Sequence, residues 1–170
     1  MTHPVVTKLR FARSEFRRGM EGVSDEDARR RLGPMHSLSW IVCHLGWHEQ
    51  HSWLRRAQGR TVVPVPELLE HGAYGQPAST PPLAVAWAWW EAVVAAADPY
   101  LDGLTTEALQ AFPIVDGRPH VQSIGTMLQR VTYHYWFHIG EAQAIRQMLG
   151  HQGLGDFVGD IHREAPYVPE

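Results

Sequence analysis

His134 and His138 stand four residues apart in the segment Val131-Thr-Tyr-His-Tyr-Trp-Phe-His-Ile-Gly-Glu141. On an α-helix that spacing stacks two side chains one turn apart on the same side. Ile124, Leu128, Val131, Tyr135, His138, Ala142, Ile145 and Leu149 recur at steps of four and three, so His138 occupies a place on the core-facing stripe. Two imidazoles presented this way can share one divalent metal ion. A lone core histidine is ordinarily a hydrogen-bonded buried imidazole. A crowd of them is costly without a shared partner. Such a crowd exists on a second helical segment, Ser37 to Gln58. There Leu38, Ile41, Val42 and Leu45 share one side, and His44, His48 and His51 fall on a neighbouring arc about 60° wide. The arc offers a third ligand, and angles alone leave the choice among its three histidines open.

Other site chemistries fail on spacing. A zincin needs His-Glu-x-x-His, whereas His48-Glu49 is followed by Gln50 and His51, one place early. A di-iron bundle needs Glu-x-x-His on two helices, and none occurs in the helical segments. Cys43 is the only cysteine, which removes cysteine–zinc modules and intrachain disulfides. A nucleophile elbow, a P-loop and a dinucleotide fingerprint are absent. What remains is a mononuclear three-histidine site between helices, with open positions for water or substrate. Three imidazoles suit zinc, nickel, iron or copper.

Four long helices are expected to position these residues. The first, 5–21, carries Leu9, Ala12, Phe16 and Met20 on one face; Phe11 falls off that stripe, and Gly22 stops the helix. Arg10, Arg13, Arg17 and Arg18 on it read as a solvated face. Ser24 caps a short acidic turn, and Ser37 is a natural N-cap for the second long helix, 37–58. From Thr61 to Pro82 prolines and glycines make a long ordered connection with one helical turn at Glu67–His71, serving as a crossover or as a lid over a pocket. The third helix, 82–101, has Leu83, Ala86, Trp90, Val93, Ala97 and Leu101 as its stripe, with Pro99 expected to kink or shorten it. Asp116-Gly117 marks a small hairpin, the fourth helix spans 123–149, and a loosely packed tail carries a short helix near Asp156–His162. Gly22-Val-Ser-Asp-Glu echoes Gly103-Leu-Thr-Thr-Glu107, and the two Ser-led helices echo each other, which suggests a pseudo-symmetric pair of helical hairpins.

The chain of 170 residues suits one domain, 44 % hydrophobic with a formal charge of −3. That charge leaves no footprint for nucleic acid. The most apolar window, Leu83 to Ala97, carries Glu91 and is shorter than the roughly 20 residues a membrane span needs. No secretory signal pattern opens the chain. The expectation is a soluble, cytoplasmic protein with no nucleic-acid or membrane partner.

Three features resemble the DinB-like/YfiT-like superfamily of metal-binding four-helix bundles. They are Ser37-Leu-Ser-Trp-Ile-Val-Cys-His44-Leu45, then His134-x3-His138-x-Gly140, then Gln147-Met-Leu-Gly150, and with the helix order they cover most of residues 6–150. The resemblance implies an all-α four-helix bundle holding one divalent metal by His44, His134 and His138, with zinc or nickel foremost and iron also admissible. It further implies a homodimer and a small-molecule or thiol partner, because relatives include transferases and isomerases that use mycothiol or bacillithiol. The function so implied is a metal-dependent enzyme of thiol-dependent S-transferase or hydrolase type. The alternative is a non-catalytic stress-response bundle whose metal is structural. Ile139 stands where an arginine often precedes the glycine, and Glu141 replaces a usual glutamine; both departures bear on groups around the ligands. With His44 as ligand, His48 becomes a pocket residue able to act as acid or base, with Glu49 and Glu141 as lesser candidates and His51 at the exposed rim. Trp40, Trp47, Trp136 and Tyr133 read as core or pocket lining, and Cys43 as a buried hydrophobe.

Overall fold

The computed structural model describes residues 2–156 and 158–168. The chain is helical, with two short strands among the described residues. Helix α1 (Pro4–Gly19) starts one residue before Val5 because His3 caps it: its Nδ1 accepts from the Val5 amide, and Pro4 fills the first helical position. Ser24 caps α2 (Asp25–Arg29) by accepting from the Asp27 amide. Ser37 opens α3 (Leu38–Glu49) by accepting from the Trp40 amide. Serine or threonine caps of the same kind begin α6 (Thr106–Gln110) at Thr105 and α7 (Ile124–Met148) at Ser123. The two halves thus repeat a short capped helix followed by a serine-capped long one, as the sequence echo suggests.

Differences from the sequence expectation have identifiable causes. The second long helix is not α-helical throughout: after Glu49 it continues as a π-helix, Gln50–Arg56. Wholly buried Trp53 and Leu54 lie in that segment. At its start the Gln50 amide group clamps the backbone of Val63, donating to the carbonyl at 3.2 Å and accepting from the amide at 3.0 Å. The long connection therefore returns directly to the helix it leaves. It also holds more than one turn: α4 (Val65–Gly72) runs eight residues and packs on α3. Helix α5 (Leu83–Asp102) continues through Pro99 to Gly103, giving up only one bond near its end.

The hairpin forms where expected. Asp116 and Gly117 have φ of 50° and 75°, the left-handed pair that a tight two-residue turn between β1 (Ile114–Val115) and β2 (Arg118–Pro119) requires. The tail helix α8 (Ile161–Glu164) lies later than the expected 156–162, of which Phe157 is outside the described residues. Nor is the tail loose. The buried Glu15 carboxylate accepts from the Gly159 amide at 2.8 Å, and Arg18 donates to the Asp156 carbonyl at 2.6 Å.

The largest correction concerns the arginines of α1. Arg13 is buried, donating to both carboxylate oxygens of fully buried Glu49 at 2.7 and 2.6 Å and to Asp98 at 2.8 Å. Arg10 pairs with Asp102 and Asp98, and Arg17 with Glu91. Arg10, Arg13 and Arg17 thus reach across to acids of α5, with Arg17 remaining exposed and Arg18 pairing with Glu15 of its own helix, and Phe11 is buried against Trp136. Helix α1 packs on α7, and α3 on both α5 and α7. Gly46 lets α3 approach α5 closely, since a Cβ there would stand 3.3 Å from the Trp90 Cα. Beneath the site Trp90 Nε1 donates to the buried Tyr135 hydroxyl at 2.8 Å. No helix among the described residues is long and apolar enough to cross a membrane.

Candidate metal centre

The apolar stripe of α7 is buried from Ile124 to Ile145, so His138 is held inward, and His134 is half-buried one turn before it. On α3 the buried imidazole of His44 meets this pair. The Nε2 atoms of His44 and His134 are 3.2 Å apart, and those of His138 and His134 are 3.0 Å apart. One nitrogen from each of the three lies within 4.8 Å of the others.

Hydrogen bonding fixes which nitrogens face one another. His44 Nδ1–H donates to the Gly72 carbonyl at 2.6 Å, and a carbonyl can only accept. His138 Nδ1–H donates to Glu141 at 2.8 Å, and His36 Nδ1–H donates to the second Glu141 oxygen at 3.0 Å. Burial would raise the Glu141 pKa, but the bonds from His138 and His36 outweigh it and hold the carboxyl below its usual value. With hydrogen on Nδ1, His44 and His138 both aim an Nε2 lone pair at His134 Nε2. A single N–H there could satisfy only one of them.

A cation satisfies all three. With metal–nitrogen bonds of about 2.0–2.1 Å, neighbouring ligand nitrogens stand about 3.3 Å apart in a tetrahedron and about 3.0 Å apart in a facial octahedral set. The two separations that involve His134 lie in that range. Burial also favours the unprotonated form of two of these imidazoles. It holds the His44 imidazole at about 4 and that of His134 at about 2, with neighbouring histidines adding to the effect. Carboxylate and carbonyl partners on the far ring nitrogen are the usual means of orienting a ligating histidine.

Gly72 is the residue that sequence reasoning missed. A Cβ there would come within 2.8 Å of the Cys43 carbonyl group and 3.0 Å of the His44 amide nitrogen. Only glycine lets the end of α4 lie against α3 and present its carbonyl to His44. His36, stacked on Trp40 at 3.7 Å, was missed too; Trp40 in turn stacks on His44 at 4.4 Å. The Gly72 contact leaves no local sequence signal, whereas His36, Trp40 and His44 recur four residues apart, a spacing that could have marked the stack.

His44 and His134 of the cluster line a cleft of about 650 Å³, and His138 does not. His48 lines it with its ring 4.4 Å from that of His134, and burial holds its imidazole at about 3. His51, expected at the exposed rim, is half-buried and stacks on Trp47 at 5.2 Å, and its imidazole is held at about 4, again chiefly by burial. Tyr133 is exposed at the mouth, whereas Trp136 packs on the other side against Phe11. Glu49 does not reach the cleft and is committed to Arg13, while Glu141 orients His138. Cys43 is buried with its thiol pushed up to about 12 by burial, as expected of a hydrophobe.

The chain is of the class of mostly helical proteins in which two helices bring three histidines into position to hold a metal ion. Residues 8–142 match the family model of the DinB superfamily, and the chain belongs to that superfamily. No match was found among curated proteins.

Proposed function

We propose that the protein is a metal-dependent enzyme acting on a small molecule, by transfer of a thiol or by hydrolysis, with His44, His134 and His138 as the metal ligands. The observation that carries this reading is the convergence of three imidazole nitrogens, two of them from His44 and His134 that line an open cleft. A purely structural metal is normally closed in by four protein ligands, while a catalytic one keeps a position free. Half-buried His134, facing the cleft, favours the second arrangement. Helices α1, α3, α5 and α7 we read as the four-helix bundle of one domain, supported by the packing of α1 on α7 and of α3 on α5 and α7.

Bound at the three nitrogens, a divalent metal would supply Lewis acidity and favour the deprotonated form of a thiol or water. The protein's own groups do the remainder. Gly72 and Glu141 hold His44 and His138 with their Nε2 lone pairs inward. Trp40 and Trp47 flank His44 and shield it from water. His48, neutral and beside His134 in the cleft, would hydrogen-bond the thiol or water held there; with its imidazole at about 3 in the closed-in protein it is a weak base, and its acid–base role would need that burial relieved. Zinc and nickel are the ions we expect, and a low-molecular-weight thiol the co-substrate.

The test combines elemental analysis with turnover. Purified protein should hold a stoichiometric divalent metal that His138→Ala loses, and should convert members of a panel of electrophiles and amides, with and without thiols. Stoichiometric metal with no turnover, together with a large fall in melting temperature on chelation, would leave the structural reading, in which the metal ties α3 to α7.

A further inference from the structure

The mouth of the cleft is built from cations without counter-ions. Arg56, at the end of the π-helical segment, and Arg130, on α7, both line it, and no aspartate or glutamate does. Arg10, Arg13, Arg17, Arg18, Arg29 and Arg30 each have a carboxylate partner. Among the described residues Arg56 and Arg130 have neither an ion pair nor a side-chain hydrogen bond. The adjoining groove, shared by Arg55 and Arg56, also holds Asp116, which has an ion pair with neither. Burial, then the charges of Arg130 and Arg55, hold the Arg56 guanidinium below its usual value.

Backbone geometry aims these groups together. Residues five apart on an α-helix point about 140° away from each other. The i→i+5 bonding of a π-helix brings them nearly into line. His51 and Arg56 are five apart on the π-helical segment, and both line the cleft. Arg130 precedes His134 by four residues on α7, one turn or about 6 Å along the axis. His120, following the hairpin, also lines the cleft, and neutral His51 adds a ring donor.

We propose that Arg56 and Arg130 form an anion-recognition site, so that the small molecule handled in this cleft carries a carboxylate or a phosphate about one helical turn from its reacting group. Planar guanidinium forks match both anions in geometry and bind them by charge-assisted hydrogen bonds. The inference rests on the cleft being the substrate site proposed above.

Binding of inorganic phosphate and of succinate to the full-length protein, metal-loaded and chelator-stripped, tests it by calorimetry. Succinamide is the uncharged comparator, and metal content is measured in parallel. At least one anion should bind saturably in both forms while succinamide does not. The stronger binder separates a phosphate-bearing from a carboxylate-bearing substrate. Arg130→Gln, at an exposed position, and Arg56→Gln should each weaken that binding about 10- to 100-fold with metal content unchanged. Arg60→Gln, outside the cleft, should leave it alone, and Arg130→Lys should restore part of it. Equal affinity in the Arg56→Gln/Arg130→Gln double variant, folded by circular dichroism, overturns the proposal, as does absence of saturable anion binding. Anion binding that needs both arginines in protein that takes up no metal would sustain this site while removing the three-histidine reading.

Discussion

Gly72→Ala tests the link between the connecting segment and the metal centre. The added methyl would stand 2.8 Å from both the carbonyl carbon and oxygen of Cys43 and 3.0 Å from the His44 amide nitrogen. These are backbone atoms inside α3, so they cannot rotate away, and α4 must lift. Overpacking of this kind costs about 1–3 kcal/mol. Lifting also lengthens the 2.6 Å bond from His44 Nδ1–H to the Gly72 carbonyl, worth about 0.5–1.5 kcal/mol. A loss of about 2 kcal/mol should lower Tm by about 4–8 °C in a domain of this size. The sharper effect falls on the metal. His44 loses the partner that fixes its tautomer and ring orientation, and loss of such a partner typically costs about 10- to 100-fold in metal affinity. Competition against a chromogenic chelator reads the affinity, and a thermal melt of the stripped protein reads the stability. Wild-type affinity together with an unchanged melt would refute the argument that α4 orients His44.

Four further expectations follow from the same geometry. Glu141→Ala should retain the metal with affinity lowered about 10- to 100-fold, because His138 loses the acceptor on its Nδ1–H; the same chelator competition checks it. Arg13→Ala should destabilise the fold by about 3–5 kcal/mol by leaving the Glu49 charge buried and unpaired, and Arg13→Met/Glu49→Leu should recover much of the loss in urea titrations. Stripped of metal, the protein should lose stability as pH falls from about 6.5 towards 4. Burial holds His44, His48 and His51 down to about 4, 3 and 4, so over that interval the unfolded chain takes up protons that the folded chain refuses. A urea midpoint flat across this range would contradict it. Chelation should lower the Tm of the loaded protein, and added zinc or nickel should restore it, rising with the logarithm of metal excess.

Much of the scaffold was legible because it is written in local interactions. Ser24, Ser37 and Ser123 are side chains that satisfy amides three residues on, and each caps a helix in the structure. Asp116-Gly117 adopts the left-handed turn its residue types favour. The stripes of α5 and α7 follow from a 3.6-residue period, and that period also turned His138 inward. Periodicity could not choose among His44, His48 and His51, which differ by small angles on one helix. The family resemblance pointed to His44, and the meeting of its Nε2 with that of His134 matches that choice.

What the sequence by itself determined was the set of helices, their caps and the inward histidine pair, since these depend on neighbours within about one helical turn. Only the tertiary structure decided how distant segments complete them. The Gly72 carbonyl reaches His44 from 28 residues away, and Glu49 turns the exposed arginine expected at position 13 into a buried ion pair across 36. The π-helical segment brings Arg56 to the same cleft as Arg130. Such contacts leave no periodic trace, because each depends on where two separated backbones come to rest and on burial that makes an unmet partner costly.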